Sequence, residues 1–419
     1  MGTDGIVNEP ADTRTPAAGT AAGRSAEESG APGRYRALVL ATLGMTVNFW
    51  AWSLLNPLGP QYRELLGLSP FALSVAVAVP VLVGSLGRIP LGAATDRFGG
   101  RIVFAALSAV AILPVLFLAL FDSYPALLAG GLVLGLAGAS FAVGIPFVNA
   151  WFPPHQRGFA LGVYGVGNAG TALSNFFTPR IWAAQGPVAP FLLVAALLAL
   201  TAVAFIAVGR NAPGWQPATA PFWPRFRQAI GLRLSIDLAA LYAITFGGFV
   251  AFGVYLPTYL RDTYELEVAD AAARAAGFVV LATLTRPLGG WLADRRPPHH
   301  LIVGALAVVA VGAVVAAFGP HIALATVAFL AIAAALGLAN GAIFALVGQR
   351  VPASQVGSVT GVVGAAGGLG GFLPPIVMGA VYQATDDYAI GLMLLSDVAL
   401  AGLVYAAWRF GSRTASVAA

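Results

Sequence analysis

The sequence predicts an all-α membrane protein of twelve transmembrane helices, arranged as two six-helix repeats. Three observations predict it. Of 419 residues, 58% are hydrophobic and only 9% charged, with a mean hydropathy of +0.83. A soluble domain carries about 25% charged residues. Apolar runs of about 20 residues recur from Arg36 onward, each long enough to cross a bilayer as a helix. The second half of the chain also repeats residues of the first at a nearly constant offset.

Each element follows in order. Residues 1–34 are polar and rich in Ala, Gly, Thr and Ser, without the apolar stretch of a signal peptide. They read as a disordered cytoplasmic tail. The spans fall at 37–58, 71–94, 102–121, 126–150, 159–184 and 188–209, then 235–260, 274–293, 301–319, 321–347, 356–384 and 388–410. Residues 35–209 therefore form an N-terminal six-helix bundle and 234–411 a C-terminal one. The stretch 210–233, with Pro213, Pro217, Pro221 and Pro224 and four Arg, is a cytoplasmic linker; 412–419 is a second cytoplasmic tail. With the N-terminus inside, the inner loops hold Arg34, Arg97, Arg101, Arg157, Arg210, Arg295 and Arg350, with Asp96 and Asp294 as their acids. The outer loops hold Glu64, Asp122, Asp262, Glu265, Asp386 and Asp387. That positive-inside bias places both termini in the cytoplasm of a multi-pass protein of the plasma (inner) membrane.

The repeat is specific. Arg88, Gly92, Asp96 and Arg97 recur as Arg286, Gly290, Asp294 and Arg295 at an offset of 198; Pro153, Gln156, Gly158, Gly162 and Gly165 recur as Pro352, Gln355, Gly357, Gly361 and Gly364 at 199. Six spans per unit preserve orientation, so the repeat is parallel. This is the plan of a transporter whose halves rock about a site near the midplane.

Arg88 and Arg286 carry the chemistry. Each lies eight residues before its Asp, about 12 Å of helix, where the hydrocarbon half-thickness is about 15 Å. An Arg at that depth costs at least ~2.5 kcal/mol and reads as functional. The in-span acids Asp237 and Asp397 lie on other helices; Asp397 reads as a helix-packing contact. Two facing guanidiniums, each a planar fork, suit a small planar oxyanion. The sequence has no Cys and no Lys, which excludes thiolate chemistry and a P-loop. His155, His299, His300 and His321 sit in or beside loops and form no ligand cluster. The net charge of +5 marks topology, not nucleic-acid binding. No cofactor or metal is expected.

Span five contains Gly162-Val-Tyr-Gly165-Val-Gly167-Asn168-Ala-Gly170. Span eleven contains Gly361-Val-Val-Gly364-Ala-Ala-Gly367-Gly368-Leu-Gly370-Gly371. Small residues let membrane helices approach closely. Gly165 to Gly170 matches G-x-G-x-x-G, but no strand precedes it, so it is not a dinucleotide site. Asn168 adds an amide donor to the glycine face.

These residues resemble the nitrate/nitrite porter family of the major facilitator superfamily. The superfamily loop motif corresponds to Gly92-Ala-Ala-Thr-Asp96-Arg97-Phe-Gly99-Gly100-Arg101. The two glycine-rich nitrate signatures correspond to Gly167-Asn168-Ala-Gly170 and Gly364-Ala-Ala-Gly367-Gly368-Leu-Gly370-Gly371-Phe372. Asn340-Gly341 in span ten also resembles the family pattern. The resemblance implies that Arg88 and Arg286 bind substrate, that Phe141 stacks on the anion, that Tyr242 and Phe246 line the site from span seven, and that Asn168 stands near it. It also implies a cytoplasmic gate at Gly92, Asp96, Arg97, Arg101 and Asp294. Arg180 departs from the pattern; Ala345 stands where many members carry Gln.

The expected function is secondary transport of nitrate and nitrite by alternating access, as nitrate/nitrite antiport or nitrate/proton symport. The partners are the anion, the bilayer, and a coupled proton or counter-anion. One chain contains both halves of the pathway and functions as a monomer. The protein is not an enzyme. Rival readings are a carrier for another small anion, such as a carboxylate, a proton-driven drug exporter, and a non-transporting membrane sensor.

Overall fold

A computed structural model describes residues 32–153, 156–217, 222–293, 295–351 and 356–411. Within them every regular element is a helix. The tail through residue 31, the tail 412–419 and Asp294 lie outside the described residues.

The first six crossings run over Arg34–Leu66, Pro70–Phe98, Gly100–Leu120, Tyr124–Trp151, Arg157–Gln185 and Ala189–Ala207. The second six run over Arg233–Tyr264, Val268–Ala293, Pro298–Ala317, Ile322–Arg350, Val356–Thr385 and Ala389–Gly411. Eleven of these are long and apolar enough to span a bilayer by composition. Span five is the twelfth. It is broken by a 3-10 turn at Val166–Asn168 and carries the buried polar residues Asn168, Thr171, Ser174, Asn175 and Thr178. Those groups face protein rather than lipid, which lowers hydropathy without lowering membrane fit.

Span two is longer than its apolar pattern suggests. Ser69 Oγ accepts the Ala72 N–H at 3.1 Å and Pro70 occupies the first turn, a strong start signal. The helix continues to Phe98 and stops at Gly99, whose φ of 82° suits only glycine. Asp96 and Arg97 therefore belong to the last turn and not to the loop. The linker likewise contains a helix, Phe222–Gly231.

Glycines set the helix crossings. A Cβ on Gly84 of span two would meet the Gly135 carbonyl at 2.8 Å; one on Gly337 of span ten would strike Ala282 and Thr285 of span eight. Small residues supply the van der Waals packing that holds helices together in lipid. The halves meet where span two packs on span eleven and span five on span eight. Both deep Arg lie on those interface helices.

Asp237 of span seven is 2% exposed and anchors span twelve. Its carboxylate accepts from the Tyr405 hydroxyl at 2.7 Å and from Arg409 Nε at 2.6 Å. Removing one partner of a buried pair costs about 3–5 kcal/mol. Asp237→Ala should lower the melting midpoint of the detergent-solubilised protein clearly, with Arg409→Ala close behind. An unchanged midpoint in both would show that the pair contributes little.

Candidate anion site

Arg88 sits mid-helix in span two and is 4% exposed. Arg286 sits at the matched place in span eight, half-buried. Phe246 of span seven lies between them. The Arg88 guanidinium carbon is 5.4 Å from the Phe246 ring centre and that of Arg286 is 5.0 Å. Cation–π attraction of this kind contributes about 0.5–2 kcal/mol per contact. The two charges thus lie within roughly 10 Å of each other, a repulsion of at least about 1.7 kcal/mol at an effective dielectric near 20. An anion placed between them reverses its sign.

Both forks keep unused donors. Arg88 Nη1 donates to the Gly364 carbonyl at 2.5 Å, tying span two to span eleven across the halves. Arg88 Nε, Arg286 Nε and Arg286 Nη2 are buried without a partner. Unpaired buried N–H groups on charged side chains are costly and suit an oxyanion acceptor.

The other residues singled out from the sequence distribute as follows. Phe141 of span four lies 5.3 Å from the Arg88 guanidinium and stacks on Tyr164. Tyr242 stacks on Phe246 at 4.9 Å, nearly parallel, with its hydroxyl buried and unpartnered. A Cβ on Gly364 would touch Phe141; on Gly367, the Tyr242 and Phe246 rings; on Gly368, Ser85 and Arg88 Nη1. Gly370 and Gly371 pack against Ala243 and Val250 of span seven. The span eleven glycines are thus the wall that admits the Arg88 head and the two rings.

Asn168 is fully buried, and its Nδ2 donates to the Gly165 carbonyl at 2.8 Å. The donor anticipated for the glycine face is therefore engaged in holding the 3-10 turn, and Oδ1 is the unpartnered atom. That turn touches span eight, while Gly167 and Gly170 pack on Met45 and Thr46 of span one.

The described residues assigned to a gate lie at the inner end of span two and the start of span three. Gly92 has open space around it. Asp96 is half-buried, and Arg97 is exposed over Phe98. Arg101 Nη2 donates to the Ile206 carbonyl at 2.5 Å, and its backbone N–H donates to Asn211 Oδ1. Arg101 thus fastens the loop to span six of its own half.

Two further residues were not anticipated from sequence. Phe249 lies 4.8 Å from the Arg286 guanidinium, and Phe344 of span ten meets Tyr242 edge-on at 5.0 Å. Positions 242, 246 and 249 share one helix face by spacing, which was the available signal for Phe249. Arg180 folds back, donating to the Phe176 carbonyl and lying 3.9 Å over its ring. Asp397 is exposed on span twelve and lines an apolar cavity of about 510 Å³ between spans seven, eleven and twelve.

The Major Facilitator Superfamily profile matches residues 41–375. The probable nitrate/nitrite transporter NarK2 of Mycobacterium tuberculosis is 49% identical over 375 residues, covering 88% of this chain and 95% of that one. A nitrite extrusion protein of Bacillus subtilis is 37% identical, covering 89% and 94%. A probable nitrate transporter NarT of Staphylococcus haemolyticus is 36% identical, covering 86% and 92%. Among solved structures, a bacterial homologue of the human lysosomal transporter Spinster, inward-facing and occupied, matches with a TM-score of 0.70 at 18% identity, covering 91% of this chain and 97% of that one. The human organic anion transporter MFSD10 matches at 0.69 and 17%, covering 90% and 100%. These two share the fold. The chain belongs to the Major Facilitator Superfamily and, within it, to the nitrate/nitrite porters.

Proposed function

We propose that this protein carries nitrate and nitrite across the plasma membrane by alternating access, both termini in the cytoplasm, with Arg88 and Arg286 gripping the anion. One observation carries the site: two guanidiniums from matched repeat positions face a single ring, Phe246, with unused donors on both. Phe141 and Tyr242 complete the aromatic lining. The rocking halves close on the anion because its charge offsets the repulsion between the two Arg.

The same electrostatics favours exchange over proton coupling. Without an anion, occluding both charges is costly, so the unloaded carrier returns slowly. The in-span acids stand apart from the Arg pair: Asp237 is paired with Arg409, and Asp397 lines the apolar cavity between spans seven, eleven and twelve, whose lining contains neither Arg88 nor Arg286. A cytoplasmic gate at Gly92, Asp96, Arg97, Arg101 and Asp294 belongs to the same proposal, as does function as a monomer.

Proteoliposomes preloaded with labelled nitrate test this. External nitrite should accelerate nitrate efflux several-fold over anion-free buffer. Equal efflux in both buffers would refute exchange, and efflux driven by an imposed proton gradient alone would establish symport in its place. Acceleration by a small carboxylate but not by nitrite would reassign the substrate.

A further inference from the structure

The repeat that pairs Arg88 with Arg286 also sets Phe141 against Asn340, at the offset of 199 that aligns the two half-loops. The fold keeps that correspondence. In the first half, span two crosses span four where Gly84 lies against Gly135 and Gly138. One turn further inward, Arg88 meets Phe141. In the second half, span eight crosses span ten where Gly337, the counterpart of Gly138, lies against Ala282 and Thr285. One turn further inward, Gly341 lies against the Arg286 carbonyl. Asn340 thus stands to Arg286 as Phe141 stands to Arg88.

Its helix face is fixed by its neighbours. Phe344, one turn inward, meets Tyr242. Leu336, one turn outward, packs over Gly248. The stripe 336, 340, 344 therefore faces span seven, with Asn340 at the level of Phe246, the ring both Arg share. Asn340 is 1% exposed, yet neither its Nδ2 nor its Oδ1 has a partner. A buried amide with both ends unsatisfied calls for a ligand or another explanation.

We infer that Asn340 contacts the anion on the Arg286 side, donating from Nδ2, with Oδ1 the acceptor available to the unpartnered donors of Arg286. This rests on reading the Arg pair as the anion site. The grip is then asymmetric. Phe141 offers a π face beside one guanidinium, and Asn340 offers an in-plane donor beside the other. A planar oxyanion accepts donors at its edge and aromatic contact on its face, so the two halves recognise different aspects of one ion.

The test uses the full chain in proteoliposomes and in detergent, as wild type, Asn340→Leu, Asn340→Ala and Arg286→Lys. Half-saturating nitrate is read from counterflow, and nitrate protection from the shift in melting midpoint. Leu keeps the volume and removes both polar ends. Asn340→Leu is expected to raise half-saturating nitrate at least tenfold, keep the maximal rate within threefold, and abolish the nitrate-induced shift. Its midpoint without nitrate should hold or rise, because an unsatisfied amide has been removed. A purely structural Asn would instead lower that midpoint and leave half-saturation alone. Asn340→Ala carries the same affinity test without added branching, should Leu disturb folding. Wild-type half-saturation in either folded variant, with exchange lost in Arg286→Lys, overturns the inference. Wild-type affinity in Arg286→Lys removes the Arg-pair reading and the inference with it.

Discussion

Arg88→Lys and Arg286→Lys are each expected to reduce nitrate counterflow about 100-fold or more at subsaturating nitrate. Lys keeps the positive charge and loses the planar fork. A hydrogen bond to a charged group contributes about 1.5–3 kcal/mol, and the stacked contacts with Phe246, Phe141 and Phe249 add about 0.5–2 kcal/mol each. Loss of one bond and one stack removes about 2–5 kcal/mol, a range centred above the roughly 2.7 kcal/mol that a 100-fold change requires. The two variants should differ in stability. Arg88 also ties Gly364 of the opposite half, so Arg88→Lys should melt earlier, whereas Arg286 has two unpartnered nitrogens and Arg286→Lys should not. Exchange near the wild-type rate in both folded variants would move the site elsewhere.

The part of this site that was legible in the sequence is the part that violates the solvent. Arg88 and Arg286 stand out because charge inside an apolar run is expensive, and because they recur at a fixed offset. The glycine runs of span eleven were legible for a similar reason, since so many residues without side chains imply close approach. The structure supplies what they approach: the Tyr242 and Phe246 rings and the Arg88 head. Phe246 as the ring shared by both guanidiniums was not readable from residue types alone, since an aromatic in an apolar span looks like packing until two distant helices are brought to it. Phe249 was hidden in the same way. Asn168 was visible as an anomaly, but the 3-10 turn that engages its Nδ2 arises from backbone geometry. Most span boundaries were legible to within a few residues; the larger differences are the outer end of span one, which runs to Leu66, the start of span eight at Val268, and the inner end of span two, which Gly99 decides. The apolar pattern of span two ends before its helix does, because Asp96 and Arg97 can occupy a last turn in contact with water.

Asp262→Asn is expected to loosen the outer closure and make residues beneath it reachable from outside. Charges at the outer ends look like ordinary loop charges in the sequence, and the fold interlocks them. Arg63 and Glu64 close span one; Arg261 and Asp262 close span seven. Arg63 Nη1 donates to Asp262 Oδ2 at 2.7 Å, and Arg261 pairs with Glu64. The Tyr388 hydroxyl, at the turn between spans eleven and twelve, donates to the same Asp262 oxygen at 2.6 Å. The Phe71 N–H also donates to Gln383 Oε1 at 3.2 Å across the halves. Opening to the outside requires parting Arg63 from Asp262, Arg261 from Glu64 and Phe71 from Gln383, which join the two halves; Tyr388 and Asp262 both belong to the second half, and their bond holds the carboxylate in place for Arg63. Asp262 is the shared acceptor and its side chain is only 12% exposed, so its neutralisation weakens two contacts at once. The Arg63 pair contributes up to about 1 kcal/mol, enough to raise the outward-open population about fivefold. The natural absence of Cys makes the measurement direct. Ser174→Cys places one thiol at a fully buried position of span five, on the Ser53 carbonyl and beside Thr178. An impermeant maleimide added outside should label Ser174→Cys about fivefold faster when Asp262→Asn is also present, and saturating nitrate should not restore the slow rate. Equal labelling with and without Asp262→Asn would mean that the outer closure is held by the apolar contacts of spans two and eleven, where Gly379 packs on Ser74, and not by the charge network.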